Sequence, residues 1–150
     1  MRVLSITSFC LLTLAFAPCA RADAELDKFQ GSWKAEKASF GGQDAPKEAV
    51  DKMVFTFKDD MAIPKDNPKD VATIKVDGAK KPAEIDFTDK DKKVNKGIYR
   101  FVDKDTIEFC INLKEDSERP KDFTSPKDSM HVVMVMKREK EKEKDKEKSK

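Results

Sequence analysis

Few residues in this 150-residue chain are equipped for reactive chemistry. His131 is the only histidine, and cysteine occurs only at positions 10, 19 and 110. Cys10 and Cys19 lie in an N-terminal stretch read below as a leader, so two soft ligands remain where structural zinc takes about four. Any nucleophile–base pair built on imidazole has to recruit His131, and no serine or cysteine stands at a telling spacing from it. His131 alternates with Met130 and Val132, the pattern of a surface or packed side chain. Carboxylates are plentiful, at Asp59-Asp60, Asp89, Asp91, Asp103 and Asp105. Paired acids can move protons or bind calcium, but none has the glycine and distal glutamate of a calcium loop. Turn chemistry accounts for them, because aspartate tolerates tight-turn backbone angles. Only five glycines are present, and they form no phosphate-cradling loop. The expectation is a protein that is not an enzyme and carries no metal or cofactor.

The elements that would position any site are strands. Residues 97–113, GIYRFVDKDTIEFCINL, read as a hairpin turning at Asp103-Lys104-Asp105. Folding there sets Val102 opposite Thr106, Phe101 opposite Ile107, Arg100 opposite Glu108, Tyr99 opposite Phe109 and Ile98 opposite Cys110. Strand side chains alternate, so Tyr99, Phe101, Ile107, Phe109 and Ile111 share one face and the Arg100–Glu108 pair lies on the other. Two strands alone are marginal in water, so a larger sheet is required. Further strands are expected over 33–40, 53–57, 71–76, 84–87 and 130–136. One helical turn is expected within 44–52, capped by Asp44 with Pro46 near its start. Residues 58–70, with Pro64 and Pro68, read mostly as loop. Seven or eight short strands with turns between neighbours predict an all-β fold. The form expected is a small antiparallel up-and-down barrel of about eight strands, lipocalin-like, with a β-sandwich as the alternative.

Residues 1–22 read as a secretory signal peptide. Arg2 supplies the positive start, residues 3–17 are an apolar run too short to span a bilayer comfortably, and Ala20-Arg21-Ala22 meets the small-x-small cleavage rule. Ala22-Asp23-Ala24 is a second cleavage option; an uncleaved anchor or a buried strand is the alternative reading. The expected location is secreted or periplasmic, with residues 23–138 forming the barrel domain and no membrane span left in the mature chain. Only Cys110 would remain, so no internal disulfide can form, and mid-strand it reads as a small buried hydrophobe. Residues 139–150 alternate basic and acidic side chains with no apolar face, the composition of a solvated, disordered tail. Charged residues make up 40% of the chain yet the formal net charge is only +2, which is not the footprint of a nucleic-acid binder. A monomer is expected.

Two groups remain as binding candidates. Tyr99, Phe101 and Phe109 can line a pocket for a small, partly apolar ligand, or else simply fill so small a core. Arg119-Pro120 lies in the long irregular stretch 112–129. It reads either as a ligand or partner contact at the barrel mouth or as a tie from that loop to a nearby carboxylate. An envelope protein is the alternative partner, met by a filled barrel through its loop and tail.

The ordered set Phe29-Gln30-Gly31-Ser32-Trp33, Ile85-Asp86-Phe87, Gly97-Ile98-Tyr99, Asp105-Thr106-Ile107, Phe109-Cys110, Arg119-Pro120 with Phe123, and the run from Val132 to Arg138 resembles a family of small exported planctomycete proteins of unknown function. That family implies no established activity. The Gly31-x-Trp33 opening also resembles the first strand of lipocalins. This likeness implies that a basic residue ending the last strand, Lys137 or Arg138, packs over Trp33 by a cation–π contact at the barrel floor. Trp33, Arg138 and Cys110 are accordingly expected to be structural. The chain is shorter than lipocalins, keeps no cysteine pair and shows no helix after its last strand, which argues against a roomy cavity.

Overall fold

The computed structural model describes residues 24–115 and 117–140. The expected leader and the charged tail beyond residue 140 lie outside them. The strands are β1 (Gly31–Phe40), β2 (Gln43–Asp44), β3 (Val54–Lys58), β4 (Met61–Pro64), β5 (Ala72–Asp77), β6 (Ala83–Thr88), β7 (Val94–Asp103), β8 (Thr106–Asn112) and β9 (His131–Arg138). One short helix, α1 (Lys47–Val50), follows β2. From β3 to β9 each strand pairs antiparallel with the next, β3 also pairs with β1, and β9 returns to β1 to close the sheet. The result is a closed up-and-down barrel of eight strands, with β2 a two-residue flap on the end of β1. Closure leaves no long edge strand exposed.

The β7–β8 hairpin has the expected register from Ile98↔Cys110 to Phe101↔Ile107. The expected Val102–Thr106 pair does not form: a bulge after Phe101 sets Asp103 opposite Thr106 and leaves Val102 60% exposed. Two elements differ from expectation. Met61–Pro64 is a strand rather than loop, pairing with β3 from Phe55↔Pro64 to Lys58↔Met61. Pro64 is its last residue, a place where a missing N–H is tolerated. Asp44 does not cap α1: it pairs with Ser39 in β2, and Pro46 starts the helix without a side-chain cap.

Inward-facing residues fill the lower half of the barrel, the end where β1 begins and β9 finishes. Trp33, Ile85, Ile107 and Phe29 are 0% exposed, with Tyr99, Phe109 and Met136 at 1%. Outside the wall lies a second, smaller apolar layer. Ile98 and Cys110 face outward yet are fully buried, because the 113–130 segment runs back over β7 and β8 as a strap. Its Thr124 carbonyl accepts from Cys110 Sγ at 3.5 Å, and Phe123 lies 4.5 Å beneath the Arg100 guanidinium. Among the described residues no helix is long and apolar enough to cross a membrane.

Candidate functional site

Residues 24–29 form a helical turn that closes the barrel floor. Phe29 enters the interior, its ring centroid 5.0 Å from Tyr99, 5.2 Å from Phe101, 5.7 Å from Phe57 and 6.2 Å from Phe109. Tilted and edge-to-face pairs at such distances are favourable beyond the area they bury. Tyr99 and Phe109 are buried, and the half-buried Phe101 packs against Tyr99 and Phe29, so the three rings lie in the core, the arrangement in which they fill it. The Tyr99 hydroxyl donates to Glu25 Oε1 at 2.9 Å. Burial, and then the Glu25 carboxylate, hold its ionisation well above the ordinary tyrosine range. The insertion of Phe29 was not foreseen.

Trp33 and Arg138 lock the same end. Trp33 Nε1 donates to the Phe29 carbonyl at 2.6 Å, and the Arg138 guanidinium lies 4.2 Å from the indole centroid. Arg138, not Lys137, makes that contact. Its guanidinium also donates to the Gln30 carbonyl and, at 2.8 Å, to that of Lys28.

Arg119 lies on the outer wall between β6 and β7, away from the barrel mouth. One Nη donates to the Gly97 and Ile85 carbonyls at 2.6 and 3.0 Å. The other lies 2.7 Å from Asp86 Oδ1, an ion pair without hydrogen-bond geometry, and Nε is 3.4 Å from Glu84. Glu84 and Asp86 alternate with inward Ile85 and Phe87, so they face out. The loop-to-carboxylate tie is thus the arrangement present. Asn112 anchors the start of the same segment by donating to the Glu118 carbonyl at 3.0 Å. Burial, followed by the nearby Asp122 and Glu108 charges, pushes the Cys110 thiol up to about 11, so it is a poor nucleophile. His131 faces outward beside a small recess of about 240 Å³ with Asp122 and Lys121. No group of three or more His, Cys, Asp or Glu side chains able to hold a metal ion occurs among the described residues.

The recess best suited to a ligand is at the upper end. A cleft of about 460 Å³ opens between α1 and residue 66. Pro46, Ala49 and Met53 form its apolar wall and Phe55 its floor, while Glu48, Lys52 and Asp66 stand at its rim. Small-molecule sites commonly span about 300–1,000 Å³ with apolar walls and a few polar groups. A larger groove of about 750 Å³ runs between β1 and α1. Its walls carry the exposed ion pairs Lys34–Asp51 and Lys137–Glu36, at 2.9 and 3.0 Å, which makes it a solvated channel rather than a dry pocket. Also at the upper end, Phe40, Leu113 and Met130 are each 45% exposed. Phe40 and Ile111 both pair with Val132, and Leu113 N donates to the Met130 carbonyl at 2.9 Å. All three therefore share the inner-facing phase of adjacent strands and form an apolar lip. The cleft joins residues from a helix, a strand and a loop whose packing no local pattern encodes.

Comparison of the chain with protein-family models, with curated proteins and with solved structures finds no match.

Proposed function

We propose that this protein is an exported, non-catalytic binding module whose β-barrel holds a small, partly apolar ligand in the mouth cleft over Phe55. The observation that carries the proposal is the cleft itself, with an aromatic floor, an apolar wall and three ionisable rim residues. The packed lower barrel supports it by giving the upper end a rigid base. The same reading makes the chain a relative of the small exported planctomycete proteins with a lipocalin-like build, a likeness supported by the Trp33–Arg138 contact. An apolar naphthalene dye that brightens on burial tests the site. Wild type should enhance its fluorescence, Ala49→Trp should abolish the enhancement by filling the cleft, and Phe40→Glu should leave it intact. No enhancement by wild type, or loss only in Phe40→Glu, removes the cleft reading. Export is checked by N-terminal sequencing of the protein recovered outside the cytoplasm, with a start at Asp23 or Glu25 expected.

A second reading, a filled barrel contacting an envelope protein, is favoured by one observation: the exposed apolar lip of Phe40, Leu113 and Met130. Loss of a co-purifying envelope partner in Phe40→Glu would support it.

A further inference from the structure

We infer that the 113–130 strap sets the position of the α1 wall of the mouth cleft, with Arg119 and Gly42 as positioning residues. The inference rests on the cleft reading above and adds to it a control point on the far side of the barrel wall.

One chain of contacts links the strap to the cleft wall. Arg119 pins the strap to the barrel through two main-chain carbonyls, Gly97 and Ile85, and two carboxylates, Asp86 and Glu84. A guanidinium has a rigid fork of donors, so this is a directional fastening rather than a loose ion pair. Beyond the pin, Pro120 is buried, Phe123 stacks under Arg100, and the Thr124 carbonyl meets Cys110 Sγ. Ser125 is the junction: its hydroxyl donates to the His131 carbonyl at 2.6 Å and accepts from Gly42 N at 3.4 Å.

Gly41 and Gly42 make the β1–β2 turn with φ of +55° and +79°, angles at which a side chain is strained. A Cβ on Gly42 would stand 3.2 Å from Lys127 N and 3.5 Å from the Ser125 carbonyl. The turn is therefore pressed against the strap backbone, and both the tight contact and the positive φ favour glycine there. From Gly42 the chain runs through β2 to the Ala45 N–Ala38 carbonyl bond at 2.8 Å and then directly into Pro46, Ala49 and Met53, the cleft wall. Moving the strap moves the turn, and the turn carries the wall. Val50 is 6% exposed in the core, so α1 has a fixed hinge against which such a movement registers.

The test is hydrogen exchange on the whole chain, comparing wild type with Arg119→Ala, Ser125→Ala and Gly42→Ala. Each variant should speed exchange at 45–53 as well as in the strap. For Arg119→Ala the change should reach about tenfold or more, the factor implied by losing charge-assisted hydrogen bonds. Floor amides such as those of Trp33, Phe57 and Tyr99 should keep wild-type rates. A purely local role would speed 113–130 and leave 45–53 unchanged, and that result overturns the inference. If Arg119→Ala fails to fold, Ser125→Ala and Gly42→Ala decide it alone. Titration of the same naphthalene dye separates the two readings. Weaker binding by the variants supports both, whereas a wild type that binds no dye removes the cleft function while the exchange result still decides the coupling.

Discussion

At the scale of single residues, a few side chains fasten the closed end of the barrel. Arg138 shows how. Its guanidinium covers the Trp33 indole and serves two floor carbonyls, so its removal uncovers the ring and leaves acceptors wanting. Arg138→Ala should lower stability by about 2–3 kcal/mol in urea denaturation, the sum expected of a cation–π contact and charge-assisted bonds. Arg138→Lys should recover only part, because an ammonium lacks the flat fork. Cys110 yields a prediction with a defined pH window. Its thiol rises from 9.0 to about 11 in the fold. The folded state therefore keeps a proton that the unfolded chain gives up first, so the contribution is whole below about pH 9 and is lost as pH climbs to about 11. Over that interval wild type should lose about 2–3 kcal/mol more than Cys110→Ala, read as the difference in slope of unfolding free energy against pH. A parallel pair of curves would contradict the burial argument. Legibility was uneven here. A basic residue over Trp33 was implied by the opening motif, whereas the acceptors of Arg119 sit 22 and 34 residues away in sequence, and no spacing rule names them.

Secondary elements were easier to read, for a physical reason that also marks the failures. The hairpin register followed from alternation, because a one-residue slip would put Arg100 and Glu108 into the aromatic core; the structure has that pairing, with Arg100 Nη2 at 2.5 Å from Glu108. The short β4 was hidden by its flanks. Met61, Ala62 and Ile63 are too few to show a period, and two prolines nearby suggested loop. A strand of that length exists because β3 and β5 hold it on both sides. The sharpest prediction at this scale concerns Gly97, mid-strand in β7. A Cβ there would fall 2.9 Å from the Cys110 carbonyl and 3.1 Å from Ile111 Cγ1. The backbone of β8 cannot yield without disturbing the ladder. Gly97→Ala should therefore destabilise by about 1–3 kcal/mol, as overpacking does, although alanine normally favours strand over glycine. Thermal unfolding of the variant checks it; an unchanged midpoint would mean that β8 yields easily.

For the molecule as a whole, the barrel is asymmetric along its axis, and that asymmetry was not legible. The inward phase of each strand could be assigned from the chain alone, but not which end closes. Closure comes from outside the sheet, where residues 24–29 drive Phe29 among Phe57, Tyr99, Phe101 and Phe109. The turn is fastened by Trp33 Nε1 to the Phe29 carbonyl and by the Gln30 side chain, whose oxygen accepts from Asp59 N at 2.8 Å while its amide donates to the Asp59 carbonyl at 2.9 Å. If the proposed leader is removed at either small-x-small site, Leu26 and Phe29 stay in the chain, so the plug survives either cut. Phe29→Ala should cost about 3–5 kcal/mol, because the sheet around it is closed and cannot collapse onto the gap. The resulting space would be apolar and dry, and such cavities take up small hydrocarbons. Benzene should therefore raise the melting temperature of Phe29→Ala and leave wild type unmoved. A rise in both would mean that the native floor already holds usable space, returning Tyr99, Phe101 and Phe109 to consideration as a ligand site. A rise in neither would mean that the floor relaxes inward, and that the upper cleft rests on a softer base than the packing implies.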